Sequence, residues 1–451
     1  MSAERATATV LIGAITMVTH AGCSSQASPT IAPPGTCELA YGAAGSADPL
    51  DRHHEERLAC KFTTGSRTSE TVAPSLPVLP IEHVVTLTLE NRSFDHMLSD
   101  LTTAGFDGVN VAPAGVTNPD GSRGQNVSRS LASSFCIDSS IGHEWGDVHL
   151  QLNHGRLDGF VAASNPQAMS FYSKEDLPVL YGIAGQFAIS DHHFSSVPGP
   201  TWPNRLFLLA ATSCGYAEGG NTNIDIIVRC GLKAPNLTQS MDAIGARYAF
   251  YNEGGPASVE AAFGVSPVLP RSIARFVSDA ASGSLPQVSF VAGSAGQLST
   301  EDDDHPPANV LLGESFLYTI VHAVGTSPKW SKTVLFVTFD EHGGFYDHVL
   351  PPHACDPSPD ALRDYQFDQY GFRVPLVVVS PYARHHYVSH FDTDHTSITR
   401  FVEHWLGLGA LTKRDANAWP MLDMFDFTAP VADAPTVTPP RASTTTVTCT
   451  R

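Results

Sequence analysis

Five short, almost unbroken apolar runs set the limits on how this chain can fold. They occupy residues 84–89, 187–190, 288–292, 333–339 and 374–380. Runs of this length without polar alternation read as strands buried on both faces. Segments with helical spacing lie at 202–212, 313–324 and 396–408; in the last, Ile398, Phe401, Val402, Trp405 and Leu406 share one face. Strands alternating with helices predict an α/β domain, a central, mostly parallel sheet flanked by helices. Ligands of such sheets bind beyond the carboxyl ends of the strands, so the residues just after each run come first.

The ends of the chain read differently. Residues 6–18 form a short apolar stretch behind Arg5, followed by Ala21, Gly22 and Cys23. This reads as an export signal over 1–22. Cleavage after Ala21 and lipidation at Cys23 both fit, although His20 stands where a lipoprotein box prefers Leu. The expectation is a bacterial protein that is periplasmic, held at the cell surface as a lipoprotein, or secreted. Residues 23–79 form a low-complexity lead-in, ordered structure is expected near Ile81, the catalytic domain runs over 80–428, and 429–451 is a Pro/Thr-rich tail. Eight cysteines without CxxC or CxH spacing argue against a zinc ribbon. In an oxidising compartment Cys214 and Cys230 are the expected partners across a Gly/Asn-rich loop; other pairings stay open.

Charge removes one class of partner. With 45 acidic against 26 basic residues the net charge is -19, where a nucleic-acid binder needs a basic face. The same balance disfavours docking on anionic lipid but leaves peripheral contact with neutral or zwitterionic lipid open. Oligomeric state has no signature here.

Two of the apolar runs deliver acidic groups. The first leads into Glu90-Asn91-Arg92-Ser93-Phe94-Asp95-His96, the fourth into Asp340-Glu341-His342-Gly343-Gly344-Phe345-Tyr346-Asp347-His348. Carboxylates and an amide oxygen converging past buried strands suit one divalent cation. A surface ion pair or helix cap is the bland reading of one such segment and fits two poorly. A third segment, Pro198-Gly199-Pro200-Thr201-Trp202-Pro203-Asn204-Arg205, opens a helix. Thr201 ahead of a first-turn proline is an N-cap candidate, facing backbone N–H groups that favour an alkoxide or a phosphoryl oxygen.

Taken together, these segments resemble the bacterial phospholipase C and acid phosphatase phosphoesterases of the alkaline-phosphatase-like superfamily. The resemblance rests on Glu90 to Asp95, on Gly199-Pro200-Thr201-x-Pro203-Asn204-Arg205, and on Asp340-Glu341-x-Gly343-Gly344-Phe345-x-Asp347-His348-Val349. Asp304-His305-Pro306-Pro307 and Asp394-His395-Thr396-Ser397-Ile398 extend it. It implies one divalent metal ion, calcium or zinc, held by Glu90, Asn91, Asp340 and Glu341 with the Thr201 hydroxyl as nucleophile and further ligand. It also implies His143 and His305 as contacts to phosphoryl oxygens or proton donors to the leaving group. Arg205 either touches phosphate or pins its helix, and His348 joins the catalytic set or orients Asp347. His192, His193, His385 and His386 read as loop or surface residues.

The implied activity is phospholipase C cleavage of a phospholipid phosphodiester through a phosphothreonine intermediate. A phosphomonoesterase of the acid-phosphatase type is the alternative, and its branch tends to carry Ser as nucleophile. The chain also stops soon after the core, without the C-terminal β-rich domains of the long bacterial phospholipases. A sulfatase would need Cys or Ser at position 201, because Thr oxidises to a ketone. A non-catalytic exported binding protein of the same fold should have lost ligands, and none of the implied ligands is missing.

Overall fold

The computed structural model describes residues 41–45, 48–102, 105–106, 108–137, 141–217, 235–253, 270–294, 301–357, 367–431, 433–440 and 449. The export signal, the first part of the lead-in, Cys23 and Cys230 lie outside them.

The core is one seven-stranded sheet. Its strands are β1 (His83–Leu89), β2 (Ala188–Ser190), β3 (Tyr248–Tyr251), β4 (Val288–Ala292), β5 (Thr333–Phe339), β6 (Leu376–Val379) and β7 (Tyr387–Ser389). They lie in the order β7-β2-β6-β5-β1-β4-β3. β1 pairs parallel with β5 and β4, β3 with β4, and β7 with β2. β6 runs antiparallel between β5 and β2. The sheet is therefore mostly parallel, as the apolar runs predict, with one reversed strand. All seven residues of β1 and of β5 are buried, Thr86 and Thr88 of β1 included.

Seven helices bear on the site or pack beside it: α1 (Phe94–Met97), α2 (Trp145–Leu152), α3 (Pro178–Ala184), α4 (Thr201–Ala210), α5 (Ile273–Ala281), α6 (Val310–Gly325) and α7 (His395–Leu406). α7 packs on α4, and α6 on α3 and α5. No described helix is long and apolar enough to cross a membrane.

Ordered structure begins earlier than Ile81. Short helices at His54–Leu58 and Thr68–Thr71 pack on the domain. Arg57 donates to the Asn417 carbonyl, and a disulfide joins Cys60 to Cys355. Low complexity hid these anchors because each is a single side chain rather than a pattern. The C-terminal tail wraps the surface, exchanging hydrogen bonds between Thr436 and Gln186, and is tied back through Cys136–Cys449. Cys214 is also disulfide-bonded.

Candidate active site

The register of the two central strands creates the site. β1 and β5 pair parallel with Leu89 opposite Phe339, so both end at the same level. Their next residues, Glu90 and Asp340, emerge side by side. Asn91 and Glu341 both donate backbone N–H to Asp340 Oδ1, at 2.9 and 2.8 Å. Arg92 N–H donates to the Glu341 carbonyl at 2.9 Å. Asn91 takes a left-handed backbone with φ 58°. This turn brings the Asn91 carbonyl so close to Gly343 that a Cβ there would meet it at 2.0 Å. Gly343 itself has φ 63°, so glycine is required twice over.

Thr201 comes to these residues from the other side. Its helix α4 is N-capped by Pro200, and no side chain caps the first turn. Thr201 is thus the first helical residue and not the cap that its sequence context suggests. Its hydroxyl lies 3.0 Å from Glu90 Oε2 and 3.3 Å from Asn91 Oδ1. The preceding loop is held by Asn204, whose amide group donates to the carbonyls of Val197, Gly199 and Pro200.

Arg205 lies one helical turn past Thr201. Its guanidinium pairs with Glu90 Oε1 at 2.7 Å and Asp340 Oδ2 at 3.4 Å. Of the two roles left open by sequence, these pairs fit the second: they tie α4 to the ends of β1 and β5 and compensate the acidic residues that the sheet brings together. Burial pushes the Glu90 carboxyl well above the usual carboxylate range, with Asp340 adding to the rise and Arg205 opposing it. Burial also raises Asp340, but Arg205 and the hydrogen bonds from Glu90, Asn91 and Glu341 more than offset this and leave it lowered.

The donor set fits a divalent cation. Glu90 and Asp340 share the guanidinium of Arg205, with the Asn91 amide oxygen and Thr201 hydroxyl beside Glu90, and Glu341 follows with His342 Nδ1 3.4 Å from its Oε2. Glu341 Oε2 accepts from Gly343 N–H at 2.8 Å, while its buried Oε1 has no hydrogen-bond partner among the described residues. An orphaned buried carboxylate oxygen is costly, and coordination would satisfy it.

The expected histidines are here too. His143 Nε2 lies 3.2 Å from the Asn91 side-chain nitrogen, and its Nδ1 is 2.9 Å from the Ile141 carbonyl. His305 Nδ1 is held 2.7 Å from the Pro306 carbonyl. The two rings stand 6.2 Å apart, nearly perpendicular. Burial lowers the pKa of both, yet Glu341 carries His143 to a net rise, while His305, facing His143, stays lowered. The pair thus differs in readiness to hold a proton, as acid–base work requires.

His348 is elsewhere. Its Nδ1 lies 2.6 Å from Asp95 Oδ2 and its Nε2 2.8 Å from Asn110 Oδ1. Its carboxylate partner is Asp95 rather than Asp347. Asp95, Asp347 and His348 do offer closely grouped ligand atoms, but the Arg373 guanidinium already sits among them, 2.9 Å from Asp347 Oδ1 and 3.2 Å from Asp95 Oδ1. His193, expected in a loop or at the surface, is fully buried 2.9 Å from the Thr393 hydroxyl; His385 and His386 are exposed. Sequence reasoning assigned no role to His395, whose Nε2 lies 2.6 Å from the Asp340 carbonyl. Its block in the motif pattern was the available signal.

Most of the chain is similar to known proteins. Residues 81–409 match the model of the Phosphoesterase family. Non-specific phospholipase C6 of Arabidopsis thaliana is 31% identical over 399 residues, covering 80% of this chain and 75% of that protein. Phospholipase C B of Mycobacterium tuberculosis is 30% identical over 424 residues, covering 78% of each. Among solved structures, a protein in the alkaline phosphatase superfamily from Vibrio parahaemolyticus aligns with a TM-score of 0.35 and 11% identity, over 70% of this chain and 76% of that one.

Proposed function

Because the chain belongs to the Phosphoesterase family, we propose that it is a phospholipase C that cleaves the phosphodiester of phospholipids with Thr201 as nucleophile. It is a hydrolase acting on ester bonds. The observation that carries the finer reading is the Thr201 hydroxyl, aimed at Glu90 and Asn91 from the first turn of α4.

Thr201 Oγ1 attacks phosphorus and its proton passes to Glu90 Oε2, 3.0 Å away. The bond from phosphorus to the diacylglycerol oxygen breaks, and that oxygen takes a proton from Nε2 of His143 or His305. Asn91 and the N-terminus of α4 orient the phosphoryl group, because backbone N–H groups there lack helical partners. Water then adds to the phosphothreonine, giving a proton to the same histidine, and the bond from phosphorus to Thr201 Oγ1 breaks as Oγ1 takes back its proton from Glu90. A divalent cation, calcium or zinc, held by Glu90, Asn91, Asp340, Glu341 and Thr201, would lower the pKa of the hydroxyl and offset phosphoryl charge.

We also read the chain as exported. Support comes from the bridges Cys60–Cys355 and Cys136–Cys449, since such bridges persist in oxidising compartments, and from the apolar stretch at 6–18.

The test is release of p-nitrophenol from p-nitrophenyl phosphorylcholine and p-nitrophenyl phosphate, for wild type and Thr201→Ala, with and without chelator. The expected result is diester turnover lost on mutation and on chelation. Monoester turnover alone would place the protein with the phosphatases, and normal turnover by Thr201→Ala would remove the nucleophile.

A further inference from the structure

Three separate stretches of chain build the site: residues 90–97 after β1, 340–348 after β5, and 191–205 after β2. All three meet at Arg373, which is fully buried. Its guanidinium donates to Asp347 through Nε at 2.9 Å and Nη2 at 3.1 Å, and to Asp95 Oδ1 through Nη2 at 3.2 Å. Nη1 donates to the carbonyls of Asp191 and Asn110, at 2.9 and 2.8 Å. The backbone joins in. Arg373's carbonyl accepts from Phe94 N–H at 3.0 Å, and the residue forms an antiparallel bridge with Phe194. Its guanidinium lies over the Phe94 ring, 4.5 Å from the centroid.

Each partner is a few residues from a site group. Asp95 follows Glu90 and Asn91 through α1, Asp347 follows Asp340 and Glu341 through the glycine turn, and Asp191 precedes Thr201 in the loop leading to α4. The first two stretches are also zipped directly: Asp95 N–H donates to Asp347 Oδ2 at 3.3 Å, His348 N–H to Asp95 Oδ2 at 2.8 Å, and the Ser93 hydroxyl to the Tyr346 carbonyl at 2.8 Å. Two buried carboxylates drawn this close repel unless a cation lies between them. A guanidinium does this with fixed geometry, because its planar fork presents several donors at set angles.

We propose that Arg373 is a positioning residue that sets the separation of Glu90 and Asn91 from Asp340 and Glu341, and so the affinity of that cluster for a divalent cation. It touches neither the cation nor the substrate. This inference rests on the metal reading of the site given above. It also assigns the Asp95–Asp347–His348 group a fixed internal cation in place of a metal.

The experiment is calorimetric titration of metal-free protein with Zn²⁺ and, separately, Ca²⁺, alongside thermal melting. Wild type is compared with Arg373→Lys, which keeps the charge and loses the fork, and with the double variant Asp347→Asn/Arg373→Met, which removes one charge of each sign. Supporting shells around metal sites contribute about 10- to 100-fold in affinity, and a loss of that size is expected in both variants with native circular dichroism. If Arg373→Lys does not fold, the double variant, whose net charge equals that of wild type, carries the test. Folded variants that melt lower but bind the cation with wild-type affinity would overturn the proposal, leaving Arg373 a stabilising residue only. Wild type that binds neither cation would overturn the metal reading and this inference with it.

Discussion

Opening the Cys60–Cys355 bridge should destabilise the protein by an amount that follows from the chain path. The two cysteines are 295 residues apart and the second bridge, Cys136–Cys449, spans 313. In an unfolded chain that keeps the second bridge, the shorter way from Cys60 to Cys355 passes through it and closes a loop of about 170 residues, for which loop-closure entropy gives about 5 kcal/mol at 25 °C. At about 2.1 cal/mol/K of unfolding entropy per residue, a domain of this size gives up roughly 6 °C of melting temperature for that loss. Strain relief and residual order in the unfolded chain both reduce the figure, so about 3–6 °C is the expected range. The assay is calorimetry of Cys60→Ser/Cys355→Ser beside wild type without reductant, with mass spectrometry confirming the bridge in wild type. A melting temperature within about 1 °C of wild type would refute the reasoning, because no rearrangement of a bridged native state erases the entropy of so long a loop.

Other expectations are as direct. Thr201→Ala should lower kcat by about 10³-fold or more while melting within about 2 °C of wild type, since Thr201 caps no helix; paired kinetics and melting check both halves. Glu341→Gln should weaken cation binding at least about 10-fold without lowering the melting temperature of metal-free protein, because the buried Oε1 it alters has no partner to lose among the described residues; titration and melting separate the two effects. Glu314, in α6, accepts N–H groups from Val179 and Leu180, and burial pushes its carboxyl from 4.5 up to about 8, although those N–H groups oppose the shift. A carboxyl raised on folding contributes stability that is fully present below its unfolded pKa and lost as pH rises through its folded one. Stability should therefore fall between pH 4.5 and about 8, by on the order of 4 kcal/mol. Glu314→Gln should flatten that slope in urea melts across the same range.

How much was legible in the sequence depended on whether a signal is local. β1, β4 and β5 announce themselves because burial on both faces forces unbroken apolar runs. β3 and β7 give no such signal: they are the two edge strands, only four and three residues long, and β7 is Tyr387-Val388-Ser389 beside exposed histidines. The reversal of β6 could not be read either, since a run of buried valines looks the same in both directions. Glu90, Asn91, Asp340 and Glu341 were legible because strand ends are where sheets bind ligands. Thr201 looked like a helix cap because Ser and Thr usually are caps; the structure gives the N-cap position to Pro200 and turns the hydroxyl toward Glu90.

Charged side chains were the hardest to place, for a physical reason. Arg205 carries a motif position that left two roles open, and the guanidinium pairs with the buried carboxylates of Glu90 and Asp340. His348 follows Asp347 in sequence but pairs with Asp95, which reaches it from the loop after β1. Arg373 stands in no motif, at the entry to β6, and nothing local distinguishes it from a surface arginine. Its role arises because Asp95 and Asp347, 252 residues apart, meet close enough for Asp95 N–H to bond the Asp347 carboxylate. Two such carboxylates buried together must hold a proton or acquire a cation, and a cation has two sources: a side chain of the protein or an ion from solution. At Asp95 and Asp347 the chain supplies the cation itself. At Glu90 and Asp340 it supplies the Arg205 guanidinium, while the adjoining Glu341 meets Gly343 N–H and His342 through Oε2 and has no partner for Oε1 among the described residues. That difference in compensation supports the proposed reading, in which the first group holds the scaffold and the second is where an ion would bind.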